Sequence, residues 1–187
     1  MGQRRYGYEA AFEDYLRSSR IPYVSVNEAQ RTLRALPSER TESLKSFDFV
    51  VYGEGVNLLV DIKGRKGPSS AARGGWGQRL ESWVTREDVT HLLQWETLFG
   101  SGFRAVFVFA FAYPDLPADG MFAEVYQGSA AWYALRAVGV REYAAAMRDR
   151  SPRWGTVELP GPDFERAWRP LEGFRAGALL GAHPAVA

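Results

Sequence analysis

The sequence predicts a mixed α/β fold, a central sheet flanked by helices and followed by an α+β extension. Three observations carry this reading. Two short stretches, 47–51 and 58–62, alternate their apolar side chains with the period of a strand. The run 103–113 is apolar almost throughout, as expected of a strand covered on both faces. Segments 6–19 and 85–99 carry apolar residues at helical spacing. The resulting order of helix, three strands, helix and strand is that of an α/β layer.

The chain has 187 residues, 46% hydrophobic and 14% aromatic, enough for one sizeable core. We expect a single domain, with a core over 1–115 and an extension over 116–187 packed on it. A net charge of +1 exerts no global pull on nucleic acid, so any such affinity must come from local clusters. There is no run of about 18 apolar residues, and the first residues lack the apolar segment of a signal peptide. The expectation is therefore a cytoplasmic protein without membrane contact. Cysteine is absent, and two histidines, His91 and His183, cannot build a histidine-rich centre. Any metal must be held by oxygen.

Taken in order, the first helix places Tyr8, Ala11, Phe12, Tyr15, Leu16 and Ser19 on one arc. Glu9 falls about 20° beyond Leu16 at the rim of that arc, Glu13 about 40° further, and Asp14 near the opposite side. Residues 21–26 read as a strand with Pro22 at its start, and 27–43 as a polar connector containing Pro37. Over 46–63 charges interrupt two buried strands. Phe47, Phe49 and Val51 share one side of the first, while Asp48, Val50 and Tyr52 share the other. On the second, Asp61 and Lys63 project together, opposite Leu58, Val60 and Ile62. If Gly53 to Val56 is a four-residue hairpin loop, Tyr52 pairs with Asn57 and Asp48 comes to lie opposite Asp61.

Beyond Lys63 the character changes. Lys63, Arg65, Lys66, Arg73 and Arg79 stand in a glycine-rich stretch with no acid among them, which reads as a flexible basic loop suited to phosphate contact. Thr85 and Asp88 have the spacing of a capping box at the head of the second helix, which ends by Gly100. The run 103–113 is expected to be the central strand. After Pro114 the sequence predicts a strand at 121–127, a helix at 141–150, a strand at 156–159 and a helical turn at 164–168. Arginines 136, 141, 148, 150 and 153 extend a basic face, and a loosely held tail follows Gly173.

Two carboxylates about 4 Å apart repel by roughly 4 kcal/mol at an effective dielectric of 20, so Asp48 and Asp61 are hard to keep ionised together without a cation. The plain alternative is a structural ion pair of Lys63 with one aspartate, which leaves the second acid uncompensated.

Glu9 on a first helix, Asp48 on a strand and Asp61-Ile62-Lys63 on its partner resemble the PD-(D/E)XK nuclease superfamily, and within it the archaeal Holliday junction resolvases, where a helix glutamate also stands seven residues before a leucine. The likeness covers about residues 6–113. It implies a restriction-endonuclease-like core, with Asp48, Asp61, the Ile62 backbone and Glu9 around Mg²⁺ or Mn²⁺ and Lys63 positioning or activating the attacking water. Arg65, Lys66, Arg73 and Arg79 would contact nucleic acid, expected to be DNA, and a homodimer is compatible with this reading. Phe47 stands where the family has proline. Asp88 stands where resolvases place a glutamine, with Gln94 two turns later, and Glu13 is the second helix acid to consider. The expected function is a metal-dependent DNA endonuclease. The alternatives are a non-catalytic nucleic-acid-binding or partner-binding module, and a metal-dependent enzyme acting on another phosphate ester.

Overall fold

The computed structural model describes residues 7–26, 44–68, 80–117 and 125–176. The elements are helix α1 (Tyr8–Ser18), strands β1 (Tyr23–Ser25), β2 (Phe49–Val51), β3 (Asn57–Lys66) and β4 (Val84–Thr85), helix α2 (Arg86–Phe99), and strands β5 (Phe103–Tyr113), β6 (Val125–Gln127) and β7 (Trp132–Gly139). Helix α3 (Val140–Ala146), strand β8 (Arg148–Ser151), a 3-10 turn (Pro152–Trp154), strand β9 (Thr156–Glu158) and helices α4 (Gly161–Ala167) and α5 (Leu171–Arg175) complete them. Six strands form the main sheet in the order β1-β2-β3-β5-β7-β6, and β4-β9-β8 form a small second sheet. This is the mixed α/β class that the sequence predicts, a central sheet flanked by helices.

The main sheet is mixed for a topological reason. β3 and β5 run parallel over ten residue pairs, Asn57↔Phe103 to Lys66↔Ala112, and a parallel pair needs a crossover, which α2 supplies. The other ladders of the sheet are antiparallel. β5 is buried from Ala105 to Tyr113, so its alternate residues serve two cores. Phe107, Phe109 and Phe111 face Val89 and Leu92 of α2, Tyr143 of α3 and Phe164 of α4. Val106, Val108 and Ala110 face Phe12 and Leu16 of α1 and Leu171 and Phe174 of α5. Among the described residues no helix is long and apolar enough to cross a membrane.

Several local expectations change. β3 does not stop at Lys63 but runs through Gly64, Arg65 and Lys66, because the long apolar strand beside it offers ladder partners as far as Ala112. Gly64 is compatible with that strand for a packing reason: a Cβ there would lie 2.0 Å from the Tyr8 ring of α1. The helix expected over 141–150 ends at Ala146, and Arg148 and Asp149 pair instead with Glu158 and Val157 of β9. The segment 132–139, whose pattern predicts no element, is β7, paired with β5 from Val106↔Gly139 to Tyr113↔Trp132 inside the main sheet. Phe47 packs with Val50 and Leu59 rather than with Phe49, because the chain bends at Asp48 just before β2 begins. The connector 27–43, residues 121–124 of the expected strand, and the tail beyond Ala176 lie outside the described residues.

Candidate active site

The site forms where β2 ends and β3 continues. Phe49↔Val60, Val50↔Leu59 and Val51↔Leu58 are the register that a four-residue loop requires, and it brings Asp48 beside Asp61. The Asp48 amide donates to the Val60 carbonyl at 2.8 Å, after which the ladder lapses. The amide of Ile62 then has no strand carbonyl to meet on that side. The Asp48 carboxylate takes the place of one, accepting from Ile62 N–H at 2.7 Å. The Asp48 and Asp61 carboxyls lie near enough for each to act on the charge of the other.

The charges of this cluster are unevenly balanced. Burial and then the neighbouring Asp61 push the Asp48 carboxyl up to about 7, against the opposing pull of the Ile62 amide, and Glu9 adds a smaller upward push. Burial also raises Asp61, although Lys63 opposes it. The two acids therefore titrate as a pair that holds a proton near neutral pH. Burial would lower the Lys63 ammonium, but Asp61 and Asp88 outweigh it and raise its pKa. Its Nζ lies 2.6 Å from Asp61 Oδ2 and 2.8 Å from Asp88 Oδ2. It also stands 5.7 Å from the centre of the Phe107 ring.

Asp88 reaches the site from the first turn of α2. The capping box is present: Asp88 N–H donates to Thr85 Oγ1 at 3.0 Å, and Thr85 N–H donates to Asp88 Oδ2 at 3.2 Å. The same carboxylate accepts from Lys63 and from Lys45. Burial alone would raise it, yet the two ammonium groups hold it at about 2. No local pattern around Lys45 pointed to it. Its backbone is clamped against two successive turns of α2, donating to His91 Nδ1 and accepting from Trp95 Nε1, both at 3.0 Å, and this brings its ammonium to Asp88. The result is a chain of alternating charge, from Asp48 and Asp61 through Lys63 and Asp88 to Lys45.

The remaining predicted residues fall in different places. Glu9 is exposed on α1 and near enough to act electrostatically on Asp48. Glu13 is engaged elsewhere, accepting from Arg17 and from the Tyr23 hydroxyl at 2.7 Å each. Gln94 is exposed, and six residues after Asp88 it points about 240° round the helix. Arg65 is not a mobile loop cation: it lies half-buried on β3, donating to the Gly64 and Trp83 carbonyls with its guanidinium 4.1 Å from the Trp83 ring. Lys66 is exposed at the end of β3, and Arg73 and Arg79 lie outside the described residues.

Among the described residues, no three or more His, Cys, Asp or Glu side chains are gathered closely enough to form a metal cage. The donor chemistry nevertheless suits a hard divalent cation. Asp48 and Asp61 offer carboxylate oxygens on one patch, beside the single ammonium of Lys63.

No known family model matches the chain, nor does any curated protein sequence. Among solved structures, the chain is similar to Hjc, a Holliday junction resolvase from the archaeal hyperthermophile Archaeoglobus fulgidus, at 13% identity and a TM-score of 0.47, over 93% of this chain and 96% of that one. The likeness is remote, and the chemistry of the site rests on its own residues.

Proposed function

We propose that this protein is a divalent-metal-dependent nuclease acting on DNA phosphodiester bonds in the cytoplasm. The observation that carries the reading is the Asp48–Asp61 pair with Lys63 bound to one of its members. Two acids in contact are an unfavourable thing to build into the end of a strand pair, and their mutual repulsion is relieved by a cation. Asp48 and Asp61, with the Ile62 carbonyl, would hold Mg²⁺ or Mn²⁺, and Glu9 lies at the edge of that group. Such an ion supplies an acidified water and a counter-charge for the phosphodiester.

The chain's own residues do the rest. Lys63 has three N–H donors, and Asp61 and Asp88 accept from two of them. The third is available to a phosphate oxygen or to the attacking water. Asp88 fixes the ammonium from the α2 side, so that Lys63 need not be oriented by substrate.

A panel of single-stranded, duplex, flapped and four-way DNA with Mg²⁺ or Mn²⁺ tests the proposal. Cleavage by the wild type, lost in Asp61→Asn and in Asp48→Asn with the circular dichroism spectrum unchanged, is the expected result. Cleavage that survives both substitutions would assign the activity to another site. No cleavage of any substrate would favour the non-catalytic binding module on the same fold.

A further inference from the structure

Outside the acid–lysine cluster, the hairpin formed by β8 and β9 carries features that catalysis at Asp48 and Asp61 does not require. Its turn presents Trp154 with 72% of its surface exposed, the largest exposure of any big apolar side chain among the described residues. Gly155 follows with φ 57°, a left-handed conformation that closes the turn and that side chains disfavour. The Arg153 guanidinium lies 5.6 Å from the Trp154 ring, and Arg153 makes no ion pair among the described residues. Holding an indole in water beside an uncompensated guanidinium gains nothing for folding.

The hairpin is also fastened to the site. The amide of Arg86 donates to the Gly155 carbonyl at 2.8 Å, two residues before Asp88 on α2. Thr85, the cap that Asp88 bonds, pairs with Thr156 across β4 and β9. On the side nearer β3, two guanidinium groups approach the Trp83 ring, Arg65 at 4.1 Å and Arg150 at 5.2 Å from its centre. Arg65 is two residues beyond Lys63 on the same face of the same strand. Arginines therefore accompany tryptophans in two places, Arg65 and Arg150 at Trp83 beside β3 and Arg153 at Trp154 on the hairpin tip. The ion pairs of Arg150, with Glu81 at 3.6 Å and the half-buried Glu158 at 3.7 Å, are long, and a phosphate can exchange for the exposed Glu81 at little cost.

We propose that this hairpin is a docking element for single-stranded nucleic acid, with an unstacked base lying on Trp154 and the adjoining phosphate on Arg153. Cationic groups interleaved with aromatic faces are what such a strand requires, and a base already stacked within a duplex cannot lie on an isolated indole. The inference rests on the nucleic-acid reading of the site and adds the form of the strand that approaches it.

Fluorescence anisotropy of the full chain with a labelled oligo-dT of about 15 nucleotides tests it, in EDTA so that binding is read without cleavage. The parallel probe is a duplex of the same length. Trp154→Ala is expected to weaken oligo-dT binding by about tenfold or more, the scale of one lost base–aromatic stack, with a smaller effect on the duplex. Trp154→Phe should restore most of the loss, which a merely structural role would not predict for a side chain this exposed. Arg153→Gln should flatten the dependence of log K on log salt by about 0.7. Equal losses on the two probes, or unchanged oligo-dT affinity in Trp154→Ala, overturn the inference. If Asp61→Asn still abolishes cleavage in that case, the nuclease reading stands and the exposed tryptophan belongs to a protein contact. A wild type that binds neither probe overturns the inference and leaves the nuclease reading to the cleavage panel.

Discussion

The ammonium of Lys63 lies 2.8 Å from the carboxylate of Asp88, joining the middle of β3 to the first turn of α2 across a buried contact. Asp88 is 5% exposed and is at once the helix cap and the partner of two lysines. One carboxylate thus sets where α2 begins and where the Lys63 ammonium points.

This double role gives a stability prediction. Asp88→Asn keeps an oxygen for the Thr85 amide but loses the charge that binds Lys63 and Lys45, and should cost about 1.5–3 kcal/mol at pH 7. Lys63→Ala should cost more, about 3–5 kcal/mol, because Asp61 then has no cation. Urea denaturation at pH 7 and pH 4 measures both. The Lys63→Ala deficit should narrow at the lower pH, where the Asp48–Asp61 pair takes up protons. A Lys63→Ala protein as stable as wild type would mean that the ammonium is not buried between acids.

The pH profile of the metal-free protein follows from two carboxyl shifts of opposite sign. Asp48 is raised to about 7 from an ordinary value near 4, so the folded state holds more protons than the unfolded state across that window. Stability should therefore fall as pH rises from about 4 through 7. Asp88 is depressed to about 2, and its contribution is present above about 4 and is lost as pH falls towards 2. Thermal melts from pH 3 to 8 in EDTA should show a maximum near pH 4–5. Asp48→Asn should remove the decline on the alkaline side while leaving the acid side unchanged.

Metal linkage separates a cation site from an inert ion pair. Mn²⁺ binding only the folded state at 100 times its dissociation constant adds about 2.7 kcal/mol, seen as a rise in melting temperature. In Asp61→Asn the shift should vanish. If Mn²⁺ leaves the wild-type melt unmoved, Asp48 and Asp61 are not a cation site and the binding-module reading replaces the enzyme.

The two acids of α1 should differ in kind. Glu13 is held by Arg17 and Tyr23 on the helix surface, so Glu13→Gln should change stability by no more than about 1 kcal/mol and leave cleavage near wild type. Glu9 acts on Asp48, so Glu9→Gln should lower cleavage by at least tenfold with little change in the melt. Steady-state cleavage beside thermal melts ranks the two, and the reverse ranking would place Glu13 at the reacting phosphate.

The sequence by itself determined what depends on local pattern. The period-two alternation around Asp48 and Asp61, the four-residue loop that sets their register, the Thr85–Asp88 cap and the apolar run of β5 are each written within a few residues, where backbone geometry leaves few choices. What only the tertiary structure decided depends on partners distant in sequence. β3 extends through Gly64 because β5 pairs with it and the Tyr8 ring covers it. The segment 132–139 is a strand because β5 offers it an edge, although its own pattern named no element. Lys45 joins Asp88 because His91 and Trp95, about fifty residues away, clamp its backbone. The hairpin that carries Trp154 is tied to the head of α2 only because β9 pairs with Val84 and Thr85, the two residues before it. Short-range sterics and periodicity act along the chain and can be read from it, whereas side-chain charge and exposed aromatics acquire their roles from neighbours that folding alone supplies.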